Sequence, residues 1–459
     1  MTCFIEGHDR HQPSLLPSCV DDYIAPEALV RVVDAFVETL DLAALGFGRT
    51  VTATTGCPGF HPGDMLRLHV WGYLKQLRSS RQLERACERD LEAIWLMRRM
   101  SPDYRTIAAF RHDNPEAIVG AGAAFIRFCR EAGLIAGGKV ALDGTKMRVV
   151  ASAKNIAGAE RLARDIAHTE AEIAYYLDRL NIADEHTAQG IADQAVHRDA
   201  FAQAIGSLER RKARLERRQS ELGDHNTDVV VFGEPDVRPM GYVWPRTEVP
   251  AYNMQSVANE ANDSQLLHPM AMATKEVLEV DELDVLADGG YSNAQEVARC
   301  EQDGVRVVAP IKRGVMSAEY FRPIQFVHDE GTDTKRCPAG AIMHPKGKHT
   351  RNRAIRYRTP ACQIKGQCTP GYQRTIHRLV DQDALDRMER RIHENPDLMT
   401  VRRCTVEHPF GTIKRMTGGG PFLTRGLRRV KAEAALSVLA FNLIRASNAF
   451  GATTLMARG

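Results

Sequence analysis

Apolar positions in the first third of the chain repeat at helical spacing. In HPGDMLRLHVWGYLKQL, Leu66, Val70, Tyr73, Leu74 and Leu77 share one stripe, and the pattern restarts after Ser79-Ser80, where Ser80 is a plausible cap. SPDYRTIAAFRHDNPEAIVGAGAAFIRFCREAGLI continues as short helices, so residues 1–135 read as an all-helical domain for DNA binding or dimerisation, with room for a helix-turn-helix. The period then changes. A β-branched run ending in KVAL predicts the first strand of a core within 136–158. From 159 to 224 a long charged segment predicts an inserted helical hairpin, with NIADEHTAQG as its break. Leu162, Ile166, Ile173, Leu177 and Leu180 form one stripe of it, and Ile205, Leu208, Leu215 and Leu222 the other.

The core resumes over 225–329. AYNMQSVA reads as a strand, DSQLLHPMAMATKEVLEV as a helix, and LDVLAD and VRVVAPI as strands separated by the helix NAQEVARCEQDG. This β-α-β-α-β order calls for an α/β fold with some parallel pairing. Residues 330–380 form a basic insertion and 381–450 supply C-terminal helices, the last of which, an apolar helix over 430–450, would pack across the sheet. Residues 451–459 read as a fraying tail.

At 459 residues the chain is longer than a single core usually grows, so two or three domains are expected. Composition adds little: 44% hydrophobic and 26% charged residues are ordinary for a globular protein, and no apolar run approaches membrane-spanning length. The N-terminal MTCFIEGHDRHQPS carries no apolar signal segment, which predicts a cytoplasmic protein without membrane partners.

Charge is more informative in its distribution than in its sum. The formal net charge is +3, yet Lys335 to Arg378 holds eleven Lys or Arg and no Asp or Glu. Lys346, Lys348, Arg351, Arg353, Arg356 and Arg358 lie at its centre and suit a phosphate backbone, and Tyr357 and Tyr372 are candidates for stacking on unpaired bases. The alternative is a solvated basic loop. Cys337, Cys362 and Cys368 are candidate ligands for a structural zinc, with His344, His349 or Cys404 as a fourth, against reduced thiols without a ligand.

Three acidic residues carry the candidate chemistry: Asp143 in KVALDGTKMRVVAS, Asp288 in ELDVLADGGYS, and Glu407 in VRRCTVEHPFGTIKR. The first two end short apolar strands, where their carboxylates can face one cleft, while Arg403, Glu407 and Lys414 share a helical face. Such a triad suits two Mg²⁺ ions, with Mn²⁺ as a substitute, and implies a phosphodiester substrate. Each residue has a structural rival. Asp-Gly opens turns at 143 and 288, and Glu407 could pair with Arg403 on a surface helix. Pro409 either kinks a helix that begins before Thr405 or opens one that begins near His408.

In this order, the segments PDYRTIAAFRHDN, LDGTKM, YNMQSV with NEANDSQLL, DGGYS and VEHPFGTIKR resemble those of DDE-type bacterial insertion-sequence transposases. Related transposases carry tyrosine, arginine, glutamate and lysine separated by two, three and six residues; Arg403, Glu407 and Lys414 fit, and Thr400 stands where the tyrosine would be. The resemblance implies a ribonuclease-H-like mixed sheet, with Asp143, Asp288 and Glu407 as catalytic metal ligands. Arg403 and Lys414 would contact phosphates, and Tyr291 would help to position DNA. It also implies Mg²⁺-dependent strand cleavage and strand transfer, with double-stranded DNA (terminal inverted repeats and target) as partner and a homodimer as the working form. A second departure lies at Val257-Ala258, which runs directly into Asn259-Glu260 where relatives commonly have another strand. It motivates the alternative of a degenerate copy that binds DNA without cutting; a host nuclease on the same core is a further rival.

Overall fold

The computed structural model describes residues 19–51, 59–135, 138–144, 146–148, 156–188, 195–224, 229–231, 237–241, 248–253, 263–311, 320–321, 325–349, 354–358, 365–369, 371–372, 374–418 and 420–458. Helices come first. They are α1 (Leu29–Glu38), α2 (Pro62–Leu74), α3 (Ser80–Arg89), α4 (Leu91–Leu96), α5 (Tyr104–Asp113) and α6 (Pro115–Glu131). Their starts are written locally: Asp90 accepts the Glu92 amide at 2.9 Å, Asp103 accepts the Arg105 amide at 2.8 Å, and prolines open α2 and α6. The cap of α3 is Ser79 and not Ser80, which is the first helical residue. The stripe read in α2 also understates its burial, because every residue from Pro62 to Tyr73 is buried.

Strands β1 (Lys139–Ala141), β2 (Lys146–Arg148) and β3 (Ile156–Gly158) follow, then the hairpin helices α7 (Ala159–Ala188) and α8 (Ala195–Asp224). The predicted break comes too early, since α7 runs to Ala188. After β4 (Val229–Val231), β5 (Arg238–Gly241) and β6 (Glu248–Asn253) come α9 (Leu267–Leu278), β7 (Leu283–Leu286), α10 (Ala294–Gln302) and β8 (Val305–Val308), the alternation read from the sequence. Six short strands then build the basic insertion: β9 (Val327–Asp329), β10 (Thr334–Arg336), β11 (Ile342–Met343), β12 (Pro345–His349), β13 (Ala354–Arg358) and β14 (Thr375–Leu379). Helices α11 (Gln382–Glu394), α12 (Leu398–Met416), α13 (Leu427–Phe450) and α14 (Ala452–Arg458) close the chain.

The fold is a mixture of helices and small sheets, divided into two compact units. The first comprises Met1–Leu134, Lys146–Asn259 and Gly411–Gly459, and the second Ile135–Thr145 and Glu260–Phe410. Within the first unit, α13 packs on α1, α2, α5 and α6, so the closing apolar helix completes the N-terminal helical core where packing across the sheet had been expected. The tail does not read as frayed either: α14 buries Ala452 and Leu455 and packs on α1 and α13. Phe36 meets Phe125 edge-on with ring centroids 5.0 Å apart, and Phe110 stacks between Phe47 and His69.

Glu433 and His69 stand out among the polar residues buried in that helical core. Glu433 of α13 is fully buried and accepts bonds from the Leu423 and Thr424 amides at 2.9 Å, from the Thr424 hydroxyl at 2.7 Å and from Arg78 at 3.2 Å. His69 is also fully buried, with its Nε2 3.0 Å from the Ile107 carbonyl. Burial pushes the imidazole pKa down to about 3, with Arg111 adding to the effect against the pull of that carbonyl. His69 is therefore neutral in the folded state at pH values where the unfolded chain takes up a proton. Its contribution is complete above about pH 6.5 and is lost as pH falls toward 3, by up to about 1.4 kcal/mol per pH unit. Urea unfolding of His69→Gln between pH 6.5 and 4 is expected to show a shallower loss than the parent by that one-proton share; equal slopes would refute it.

The helical hairpin of the first unit is anchored at its root. Leu162, Leu215 and Leu222 cluster with Ala157 of β3, and Ile166 packs on them. Farther out, Lys212 pairs with Glu170 at 2.8 Å and Arg211 with Glu172 at 3.2 Å, while Leu177 of the expected stripe is exposed.

Candidate active site

Two of the three candidate carboxylates are brought together by strand register. In the second unit β1, β7 and β8 form a parallel sheet in that order, with Ala141 paired to Leu286 and Leu286 to Val308. Leu283, Val285 and Leu286 are all buried, as the β-branched run predicted for a strand covered on both faces. Leu142 continues the pairing by donating its amide to the Leu286 carbonyl at 2.8 Å. Asp143 and Asp288 each follow by two residues from the paired Ala141 and Leu286, so they stand side by side at the C-terminal ends of neighbouring strands, roughly 4.8 Å apart in the sheet direction. This end of a parallel sheet is the usual location of ligand sites in α/β folds.

Each carboxylate is also tied to a neighbouring backbone amide. Asp143 Oδ1 accepts the Gly144 amide at 2.8 Å, and Asp288 Oδ1 accepts the Gly290 amide at 2.7 Å. The turn reading of Asp-Gly is realised at Asp288, which caps the 289–291 turn, whereas at Asp143 no hairpin forms, because β1 and β2 lie in different sheets. Burial pushes the Asp143 carboxyl above its ordinary value and the neighbouring Asp288 charge adds to this, against the Gly144 amide and Arg402. Two acids in register, one of them desolvated, make a site that favours a cation.

Arg402 supplies a cation from within the protein. Its Nη2 donates to Asp143 Oδ2 at 2.8 Å, and its side chain is 11% exposed. Sequence reasoning missed it because attention fell on Arg403, Glu407 and Lys414. The available signal was Val406, four residues on and also buried, which marks a second, inward face of α12. Arg403 is exposed and makes a long 3.5 Å contact from its guanidinium to the Thr400 hydroxyl, the residue standing in the tyrosine position. Glu407 lies in α12, but its side chain is outside the described residues. Pro409 is interior to that helix, which begins at Leu398, so of the two alternatives the helix that starts before Thr405 is the one realised. Lys414 is half-buried in the first unit, and burial lowers its ammonium pKa.

Tyr291 requires a correction. The ring is completely buried in the turn after Asp288, so it is a core side chain and cannot stack on DNA from there.

The basic insertion is a folded β-module and not simply a solvated loop. β9, β10 and β11 form one antiparallel sheet and β12, β13 and β14 another, over a core of Phe326, Cys337, Met343, Tyr357, Cys368 and Ile376. Strand alternation sorts the side chains. Tyr357 pairs with Ile376 facing the core, whereas Arg356 pairs with His377 and Arg358 with Thr375 on the opposite face. Lys346, Arg358 and His377 are exposed and Arg356 is half-buried. The side chain of Lys348, and all of Arg351 and Arg353, lie outside the described residues. Tyr357, a candidate for base stacking, is instead fully buried, with its hydroxyl bonded to Asp333; Tyr372 is 88% exposed. Burial beneath that ring also lowers the Lys335 pKa, with Arg378 adding to the effect.

The candidate zinc ligands are divided. Cys337 and Cys368 are buried in the module core, where Cys337 Sγ accepts the Ala341 amide at 3.3 Å, and Cys362 is outside the described residues. Among the described residues no group of three or more His, Cys, Asp or Glu could hold an ion. No described helix is long and apolar enough to cross a membrane.

Two family models match the chain: a transposase domain (DUF772) over residues 18–113 and a transposase DDE domain over residues 336–446. No curated protein and no solved structure matches it.

Proposed function

These two matches support an insertion-sequence DDE transposase, and from that premise we propose that the chain cuts DNA at the ends of its element and joins the freed 3′ ends to target DNA. One observation carries the reading: Asp143 and Asp288 stand in register at the ends of adjacent parallel strands. The family generally uses divalent metals, and an all-oxygen donor set fits Mg²⁺, with Mn²⁺ as substitute. Asp143 and Asp288 would hold the ions, and Glu407 from α12 would complete the set. When bound, the ions supply Lewis-acid activation of the attacking oxygen and stabilise the leaving 3′-oxygen.

The remaining work belongs to the chain's own groups. The amides of Gly144 and Gly290 fix the two carboxylates, so little reorganisation of the acids is needed when substrate arrives. Arg403, exposed on α12, would contact phosphate with its planar fork, and Lys414 would act as a point charge. The cationic face of β12, β13 and β14, through Lys346, Arg356 and Arg358, would follow the backbone of double-stranded DNA, and we assign the same role to Lys348, Arg351 and Arg353 from their place in the sequence. Tyr372 would stack where bases are unpaired. We place this chemistry on a ribonuclease-H-like core built around β1, β7 and β8, in a cytoplasmic homodimer that holds two element ends together.

The test uses the full-length protein, Mg²⁺ and labelled duplex carrying the inverted repeats that flank the reading frame. Nicks exposing 3′-hydroxyls at the repeat ends, followed by joints into a target plasmid, are expected. Binding without nicks would overturn the proposal in favour of a degenerate copy, and nicks without joints in favour of a nuclease.

A further inference from the structure

Arg402 is bonded to a carboxylate that the proposed function assigns to metal, yet it is bonded incompletely. Both oxygens of Asp143 are engaged within the protein, Oδ1 by the Gly144 amide and Oδ2 by Arg402 Nη2, each at 2.8 Å. The Arg402 Nε is buried and has no hydrogen-bond partner among the described residues. A guanidinium built to clamp a carboxylate uses two parallel bonds. Arg306 does so in the same unit, with Nε and Nη2 reaching the two oxygens of Asp284 at 2.8 and 2.5 Å. Among the described residues Arg402 reaches Asp143 through Nη2 and leaves Nε without a partner.

Position adds to this. The guanidinium takes the Asp143 oxygen that the Gly144 amide does not use, beside the in-register Asp288, where a second acid raises the demand for positive charge. A divalent ion on Asp143 would need the same oxygen and would repel the guanidinium across a short, desolvated distance. We infer that Arg402 is a displaceable internal counter-cation, competing with the divalent ion for Asp143 and leaving it when the ion loads. Charge at the acid pair is thereby balanced before metal arrives. Once displaced, the guanidinium has a full set of donors for a phosphate. The inference rests on the reading of Asp143 as a metal ligand.

Mn²⁺ binding to the full-length protein without DNA, followed by the electron paramagnetic resonance signal of free Mn²⁺, tests it. Asp143→Asn is expected to lose the tight site. Arg402→Gln, which removes the charge, is expected to bind Mn²⁺ about tenfold more tightly or better. Arg402→Lys, which keeps the charge, is expected to stay near the parent. An affinity in Arg402→Gln equal to or weaker than the parent overturns the inference and makes Arg402 a positioning residue for the acid. Absence of any Asp143-dependent site in both parent and Arg402→Gln overturns the ligand reading itself, and the inference with it. Should Arg402→Gln fail to melt cooperatively, the parent alone decides: Mg²⁺ is expected to shift the Arg402 ¹⁵Nε resonance, identified by its absence in Arg402→Lys. An unmoved resonance overturns the proposal.

Discussion

Asp288→Asn is expected to lower nicking of element-end DNA by about a thousandfold or more while DNA binding persists. The substitution separates two roles that the sequence left entangled. Asparagine keeps an oxygen able to accept the Gly290 amide, now bonded at 2.7 Å, so the turn that Asp288 caps survives. The negative charge does not survive, and with it would go one of the two hard ligands proposed at the ends of β1 and β7. A merely structural Asp288 would tolerate the change almost fully. Labelled nicking assays at saturating Mg²⁺, alongside thermal melts, make the comparison. Activity within a few-fold of the parent, with an unchanged melt, would remove Asp288 from the chemistry.

Glu433→Ala is expected to cost the helical unit about 3–5 kcal/mol of stability. The fully buried carboxylate holds the 423–424 segment by two amides and a hydroxyl, and it neutralises Arg78, whose side chain is 12% exposed. Alanine strands that guanidinium without its counter-charge and leaves three donors without an acceptor. Glu433→Gln keeps an acceptor and should lose less. Urea unfolding reads both, and a loss below about 1 kcal/mol in the alanine variant would show that the network is incidental.

Much of the fold was legible in the chain, and where legibility failed a physical reason can be named. β7, α10 and β8 lie where a buried β-branched run, an amphipathic turn-rich stretch and a second such run put them, because local pattern and burial agree there. The pairing of Asp143 with Asp288 was also anticipated, since both close apolar strands, but their register is a long-range property that only the sheet defines. Local rules failed where tertiary packing dominates. The acid in VKAEAALSV looks like a polar break in an apolar helix, and its partner Arg78 is 355 residues away in sequence. Arg402 went unread in α12, since spacing drew attention to Arg403 while helix phase turned Arg402 inward. Tyr357 was taken for a stacking residue because an aromatic ring among charges resembles a binding surface, whereas it fills the small core of the insertion; Tyr291, named from the family resemblance, is likewise fully buried.

The hairpin of α7 and α8 is held differently along its length. Thirty residues in each helix give arms of about 45 Å. The apolar staple around Leu162, Leu215 and Leu222 grips the root, and the pairs from Lys212 and Arg211 farther along are partly exposed, where water and salt weaken them. Salt therefore screens the charge pairs while leaving the apolar root untouched, so the two parts of the hairpin answer differently to ionic strength.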